Sequence, residues 1–216
     1  MCNRYSNAKE IKIRIGNYLL TVYVKTRRYN IAPRQVVSVI APKSDATDYE
    51  VTEMSWGWDV PWSSGVQTLA KAETLLEKAA FKPWLHQRCL VPADVFYEFI
   101  GPKTEKTPIR FTQPDQSPFL MAALYRRPGE SANHGAEFII LTTAASPSVA
   151  KFHHRMPLIL KPDQYAAWFH PTEFPTVLTT PDHSNLLGYP VSRALNNWRN
   201  EGEELTHPVA AQPELF

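Results

Sequence analysis

The chain has 216 residues, 44% of them hydrophobic and 20% charged, and Lys plus Arg (23) barely exceed Asp plus Glu (21). That length suits one large globular domain, and the charge balance neither demands nor excludes nucleic acid, because a basic groove can sit on a near-neutral whole. Two cysteines, Cys2 and Cys89, argue against a disulfide framework, and without CxxC or HExxH spacing no metal site or other cofactor is expected.

The start holds no long apolar stretch, so neither a signal peptide nor a membrane span is expected, and the expected place is the cytoplasm, at the chromosome. Nineteen prolines against 8 glycines indicate many short strands and rigid turns rather than long helices. In chain order, Ile11, Ile13 and Ile15 alternate with Lys12 and Arg14, which reads as a strand. Further β-rich runs are Tyr18–Val24, Gln35–Ile40 and Glu53–Trp58. Thr68–Ala80, TLAKAETLLEKAA, is rich in strong helix formers and reads as a helix. Strands resume at Arg88–Val91, Val95–Ile100, Pro108–Phe111, Phe119–Leu124 and Glu137–Thr142. A short turn is expected at Pro147–Phe152, a strand at Leu158–Leu160, and a proline-led helix at Pro162–Phe169. No repeat or linker divides the chain, and the polar tail from residue 201 to 216 reads as laid over the surface. The fold class is therefore α+β: a single domain over 1–216, mostly antiparallel, with a barrel-like sheet and a few short helices.

Four stretches carry more functional groups than packing requires. In MCNR, loss of Met1 leaves Cys2 with an α-amine titrating near ~7.7 beside a thiol near ~8.5. Such a 1,2-aminothiol captures an aldehyde as an imine and closes it to a thiazolidine. From position alone, the favoured reading of Cys2 is a small buried residue near a terminus. In RCLVPADVFYEF, Val95, Tyr97 and Phe99 share one strand face while Phe96 and Glu98 share the other. Glu98 is thus a carboxylate among aromatics, where desolvation raises a pKa toward acid–base use; the plain alternative is a strand-end glutamate paired with an arginine. Cys89 lies in an apolar stretch and reads as inert core. In KFHHRMPLIL a basic turn precedes an apolar strand, placing a histidine for proton transfer and Arg155 as a phosphate clamp, or simply a surface turn. Finally, Trp56–Trp62, Arg27–Arg34 and Val191–Asn200 interleave aromatics with cations, as single-stranded nucleic acid binders do. No Gly-rich phosphate loop or GxSxG elbow occurs, which removes nucleotide hydrolysis and ordinary esterase chemistry.

In this order the motifs MCNR, YNIAP (Tyr29–Pro33), WG (Trp56–Gly57), AET (Ala72–Thr74), RCLVPADVFYEF, HHRMP (His153–Pro157) and PVSRALNN (Pro190–Asn197) resemble the SRAP (SOS response-associated peptidase) family. The resemblance covers about residues 1–200. It implies that Cys2, freed of Met1, attacks the ring-opened aldehyde of an abasic site in single-stranded DNA and leaves a thiazolidine crosslink. It further implies that Glu98 assists proton transfer in crosslinking, in its reversal and in Met1 removal. His153 would help open the abasic sugar, and a lyase-type activity accompanies the self-processing. The expected DNA contacts are Arg4, Asn30, Pro33, Trp62, Lys71, Arg155, Ser192 and Arg193, and the expected state is a monomer away from membranes. Cys2, Glu98 and His153 must then converge in one groove lined by Arg and Lys.

The chain departs from the family pattern at five positions. Asn3 stands where glycine is usual, and Val95 and Phe99 replace a glycine and a tryptophan. Leu69 and Lys71 fall where the family carries asparagine and arginine, with Gln67 the nearest amide. Leucine cannot make the asparagine's hydrogen bonds, and lysine lacks the arginine fork. Two other readings stay open: a non-covalent single-strand binder, motivated by Leu69 and Asn3, and a peptidase using Cys2 on peptide bonds.

Overall fold

The isoleucine–cation alternation near the start becomes a hairpin. The computed structural model describes residues 3–43, 48–60, 65–102, 104–127, 135–179 and 185–209. In it β1 (Arg4–Asn7) is followed by β2 (Ile11–Ile15) and β3 (Tyr18–Val22), which pair with each other. Ile11, Ile13 and Ile15 are buried while Lys12 and Arg14 face water, because strand side chains alternate with a period of two. Gly16, at φ 57, supplies the left-handed residue of the tight turn.

The chain continues through β4 (Arg28–Ile31), β5 (Val36–Pro42), β6 (Tyr49–Trp56), β7 (Trp58–Asp59), β8 (Val66–Gln67) and β9 (Leu69–Lys71). Then come β10 (Arg88–Ala93), β11 (Val95–Ile100), β12 (Thr107–Thr112), β13 (Phe119–Arg126) and β14 (Glu137–Ala144). The last described elements are α1 (Pro147–Ala150), β15 (Arg155–Pro157), β16 (Ile159–Leu160), α2 (Tyr165–Phe169), α3 (Phe174–Thr179) and β17 (Leu187–Pro190).

Strands β10, β5, β6, β14 and β13 close into a ring, since β13 pairs with both β14 and β10. Among the described residues only β14 has parallel partners, β6 and β9; every other strand pairing is antiparallel. The barrel-like, mostly antiparallel α+β architecture expected from the sequence is the one observed. A second sheet, in the order β17-β12-β11-β1-β4, packs against the ring. Cys89, Val91 and Ala93 of β10 face the shared core with Trp56, Met121, Ile140 and, from the second sheet, Tyr5, Phe96 and Phe111. Leu90 faces the other way, under the β2–β3 hairpin and Trp168 of α2. Both faces of β10 are thus buried, which is why RCLVPA reads as a near-continuous apolar run. Each large apolar side chain fully buried here contributes about 1.5–3 kcal/mol relative to exposure.

The helix expected at Thr68–Ala80 is not formed. Leu69, Ala70 and Lys71 instead pair in parallel with Ile140, Leu141 and Thr142, and a 3₁₀ turn follows at Ala72–Thr74. Leu69 points to the shared core and Ala70 to the outer one, so the pairing buries both faces of the segment. Helix propensity of a few tenths of a kcal/mol per residue does not outweigh that burial, and a short helix must still repay its nucleation cost. The Pro162–Phe169 helix is present as a 3₁₀ turn leading into α2, and the turn at Pro147 holds α1.

The tail adds a third small core. Leu205, 3% exposed, packs with Val95, Tyr97, Val191 and Leu195 on the outer face of β11. The Glu201 carboxylate accepts from the Tyr29 backbone N–H at 2.9 Å and from Arg28 Nε at 3.3 Å. Leu205 and Glu201 anchor the described part of the segment, 201–209, most of whose other side chains are exposed.

Candidate functional site

Strand alternation decides where the Glu98 carboxylate goes. Phe96 stacks on Phe111 at 5.0 Å within the shared core, and Glu98, two residues on, shares that face. It ends 1% exposed. Opposite it comes the turn after α1, which backbone bonds hold tightly: His153 N–H donates to Val149 O at 3.0 Å and Ala145 N–H to His154 O at 3.1 Å. Phe152 anchors the same turn by an edge contact to Phe111 at 5.6 Å. Gly188 of β17 leaves room for that contact, since a Cβ there would lie 2.6 Å from Phe111 Cε1 and 3.2 Å from Phe152 Cε2.

The turn brings His153 Nδ1 to 3.6 Å from Glu98 Oε1. The same nitrogen lies 3.1 Å from the Arg155 N–H and 3.0 Å from the Arg155 carbonyl oxygen. Unprotonated, Nδ1 accepts from Arg155 N–H; protonated, it faces the Arg155 carbonyl and the Glu98 carboxylate. One atom can therefore take or release a proton with little movement. Burial lowers the His153 pKa below its ordinary value, and the cations Lys106 and Arg155 push the same way against the backbone bond from Arg155.

Arg155 has another employment than an open phosphate clamp. Its Nη1 and Nη2 donate to Glu73 Oε1 at 2.6 Å and Oε2 at 2.9 Å, and Nη2 also donates to the Thr142 carbonyl at 2.6 Å. Arg155 is 8% exposed, so a phosphate could reach its terminal nitrogens only by displacing Glu73. The pair ties the His153 turn to the segment after β9. Hydrogen bonds from Arg155 hold the Glu73 carboxyl below its ordinary pKa.

The N-terminal segment arrives at this end of the sheet. β1 pairs with β11 in the register Arg4↔Tyr97, Tyr5↔Phe96, so the strand begins opposite the residue next to Glu98. Asn3 Oδ1 accepts from Thr68 Oγ1 at 3.1 Å, and its carbonyl accepts from Arg4 Nη1 at 2.8 Å. The asparagine that replaces glycine thus docks the N-terminal segment onto the residue before β9. Arg4 is half-buried, which lowers its pKa by desolvation, and as partner of Tyr97 it leaves the sheet on the face away from Glu98. Met1 and Cys2 lie outside the described residues, as does Trp62.

A cleft of about 430 Å³ opens beside Thr142, lined by Gln67, Leu69, Lys71, Lys78 and Phe81. Lys71 is exposed there and forms no ion pair among the described residues. Leu69 is 7% exposed and belongs to the core. Gln67 spends its amide N–H on the Leu69 carbonyl.

Other expected contacts are engaged elsewhere. Asn30 is fully buried, and its Nδ2 donates to the carbonyls of Leu195, Asn197 and Asn200 at 3.2, 3.0 and 3.0 Å. It ties β4 to the C-terminal loop. Ser192 caps the 3₁₀ turn Arg193–Asn196, its hydroxyl accepting from Ala194 N–H at 3.2 Å. Pro33 is part-exposed in the turn after β4. The exposed Arg193 side chain reaches Thr107 Oγ1 at 3.3 Å. Trp56 and Trp58 are core, 0% and 3% exposed, so they offer no stacking surface; Trp198, 45% exposed under the Arg199 guanidinium, does. Burial pushes the Cys89 thiol up and leaves it inert.

Sequence reading missed Lys106 and the roles of Glu73, Thr68 and Thr142. Lys106 Nζ donates to the Phe99 carbonyl at 3.3 Å, one residue past Glu98, and its charge acts on His153. Glu73 stood in the AET motif, yet nothing local marks its partner as Arg155. Among the described residues no group of three or more His, Cys, Asp or Glu is placed to hold a metal.

Comparison with known proteins bears on the family. The family model for SOS response associated peptidase (SRAP) matches residues 1–198. The chain is similar to the abasic site processing protein YoqW of Bacillus subtilis (strain 168), 30% identical over 95% of this chain and 98% of that one. It is also similar to the abasic site processing protein YedK of Escherichia coli (strain K12), 29% identical over 84% and 85%. Among solved structures, a phage-related protein from Bordetella bronchiseptica superposes with a TM-score of 0.72 at 26% identity, over 89% of this chain and 95% of that one. With seven ordered motifs, this fold and these matches together, the chain belongs to the SRAP family.

Proposed function

We propose that this protein processes abasic sites in single-stranded DNA by covalent capture through Cys2 after loss of Met1. The observation that carries the reading is the buried Glu98 carboxylate 3.6 Å from His153, at the end of β11 where the N-terminal segment enters. Cys2 directly precedes Asn3 in the chain, and β1 begins one residue later, at Arg4 opposite Tyr97.

The chemistry follows from the groups present. The free amine of Cys2 adds to the aldehyde carbon of the opened sugar, and loss of one water gives the imine. The thiol sulfur then bonds to the imine carbon while its proton passes to nitrogen, closing the thiazolidine. No electrons are gained or lost. Two proton transfers need an acceptor and a donor within reach, and Glu98 and His153 supply both. Hydrolysis of the Met1–Cys2 peptide bond draws on the same pair to move a proton from water to the leaving amine. Lys71 and Lys78 beside the cleft give the strand its counter-charge.

The test is a denaturing gel of the protein incubated with a single-stranded oligonucleotide bearing one abasic site, with intact mass reporting Met1. A heat-stable adduct that disappears in Cys2→Ala is the expected result. Unchanged adduct in Cys2→Ala would overturn the reading. Binding without adduct, in chains shown to lack Met1, would leave only a non-covalent binder.

A further inference from the structure

A second concentration of buried charge lies on the opposite face of the five-stranded sheet. Side chains alternate along β11 and β12, so Tyr97 and its cross-strand partner Arg110 stand on the face away from Glu98. Tyr189 of β17 is the other neighbour of Arg110. Arg110 and Tyr189 line a cavity of about 350 Å³ together with Lys9, Arg27, Tyr29 and His207.

Arg110 is 8% exposed. Its Nη1 donates to the Tyr189 hydroxyl, and its guanidinium carbon sits 5.2 Å from the Tyr189 ring centroid. Its Nε is buried without a protein hydrogen-bond partner, and Arg110 forms no ion pair among the described residues. Two carboxylates share the cavity. Asp94, 5% exposed, accepts from the Ala8 N–H at 3.3 Å, and Glu203 accepts from the Tyr29 hydroxyl at 3.5 Å. Lys9, Arg27 and Arg110 outnumber them. A guanidinium withdrawn from water calls for an anion in its plane, and phosphate matches its fork better than a single carboxylate oxygen does.

We propose that this cavity is a phosphate-binding site, separate from Glu98 and His153, that takes the phosphate of a nucleotide, whether free or within a strand. Arg110 holds the anion from below, Lys9 and Arg27 close on it from the rim, and the Tyr29 and Tyr189 rings give the attached sugar and base an apolar wall. Occupancy of this face leaves the Glu98 face open, so the site does not depend on the abasic-site reading.

The experiment is calorimetric titration of the full chain with deoxyadenosine monophosphate, with deoxyadenosine and inorganic phosphate as controls. The monophosphate binds, the nucleoside does not, and phosphate binds more weakly. The surface pair Lys9→Ala/Arg27→Ala weakens the monophosphate at least tenfold while Lys71→Ala does not. Arg110→Lys, which keeps the charge but loses the fork, weakens it too. Competition by the monophosphate against an undamaged single-stranded oligonucleotide assigns the site to strand phosphates, and independence assigns it to free nucleotides. No binding of the monophosphate at millimolar concentration overturns the proposal, as does binding lost in Lys71→Ala but kept in Lys9→Ala/Arg27→Ala.

Discussion

Glu98 Oε1 and His153 Nδ1 lie 3.6 Å apart, one on the central strand of the second sheet and the other in a turn pinned by Phe152 and Arg155. Neither residue has a neighbour in sequence that demands this meeting. Both sheets must close before the carboxylate and the imidazole share a site.

Glu98→Gln keeps the side-chain shape and removes the carboxyl that would take and release a proton. Folding stability should change little, because a group of the same volume fills the same buried space. Adduct formation should slow by about 10²-fold or more, the usual scale for losing a general acid–base group. Urea midpoints and single-turnover gels on the same preparation check both halves, and a parallel loss of stability and rate would make Glu98 merely structural.

Burial holds the folded-state pKa of His153 below its ordinary value of 6.5. As the pH falls through the ordinary value, the unfolded chain binds a proton that the folded chain still refuses, so stability declines. The decline stops once the pH passes below the lowered folded pKa. Wild type should therefore lose more stability than His153→Gln between about pH 7 and pH 5. Equal slopes in urea titrations of the two would refute this.

Glu73→Ala strands the buried Arg155 guanidinium. A loss of about 2 kcal/mol is expected, below the full cost of breaking a buried pair because Glu73 is itself 42% exposed. Adding Arg155→Met should recover part of the loss, since it removes the unpaired charge. The double-mutant cycle on thermal or urea unfolding measures the coupling.

Gly188→Ala drives a Cβ into Phe111 and Phe152. The overpacking should cost about 1–3 kcal/mol. Because Phe152 immediately precedes His153, adduct formation should fall by more than the unfolded fraction explains. Normalising the rate to folded protein, read by near-ultraviolet dichroism, separates the two effects.

Lys71→Ala should weaken single-stranded DNA binding evenly across sequences and reduce the slope of log affinity against log salt by about 0.7, the value for one lost contact on a single strand. Asn30→Ala should destabilise the chain without changing that slope, because its amide ties backbone carbonyls rather than phosphates. A change of slope in Asn30→Ala would return that residue to the DNA interface.

The sequence alone determined what local pattern can determine. Ile11, Ile13 and Ile15 had to share a face, and so did Phe96 and Glu98, because strand side chains alternate whatever the sheet around them. The order of the seven motifs from MCNR to PVSRALNN was enough to point to the SRAP family. Tertiary structure decided the rest, because it depended on partners far apart in the chain. TLAKAET prefers a helix by propensity, yet Leu69–Lys71 pairs as a strand along β14 and Ala72–Thr74 closes as a 3₁₀ turn. Arg155 reads as a phosphate clamp until Glu73, 82 residues away, takes both ends of its fork. Asn30 reads as a polar contact for a ligand until carbonyls 165 to 170 residues downstream surround it. Only closure of the ring against the second sheet decides which of these polar groups is spent inside the fold and which is left for chemistry.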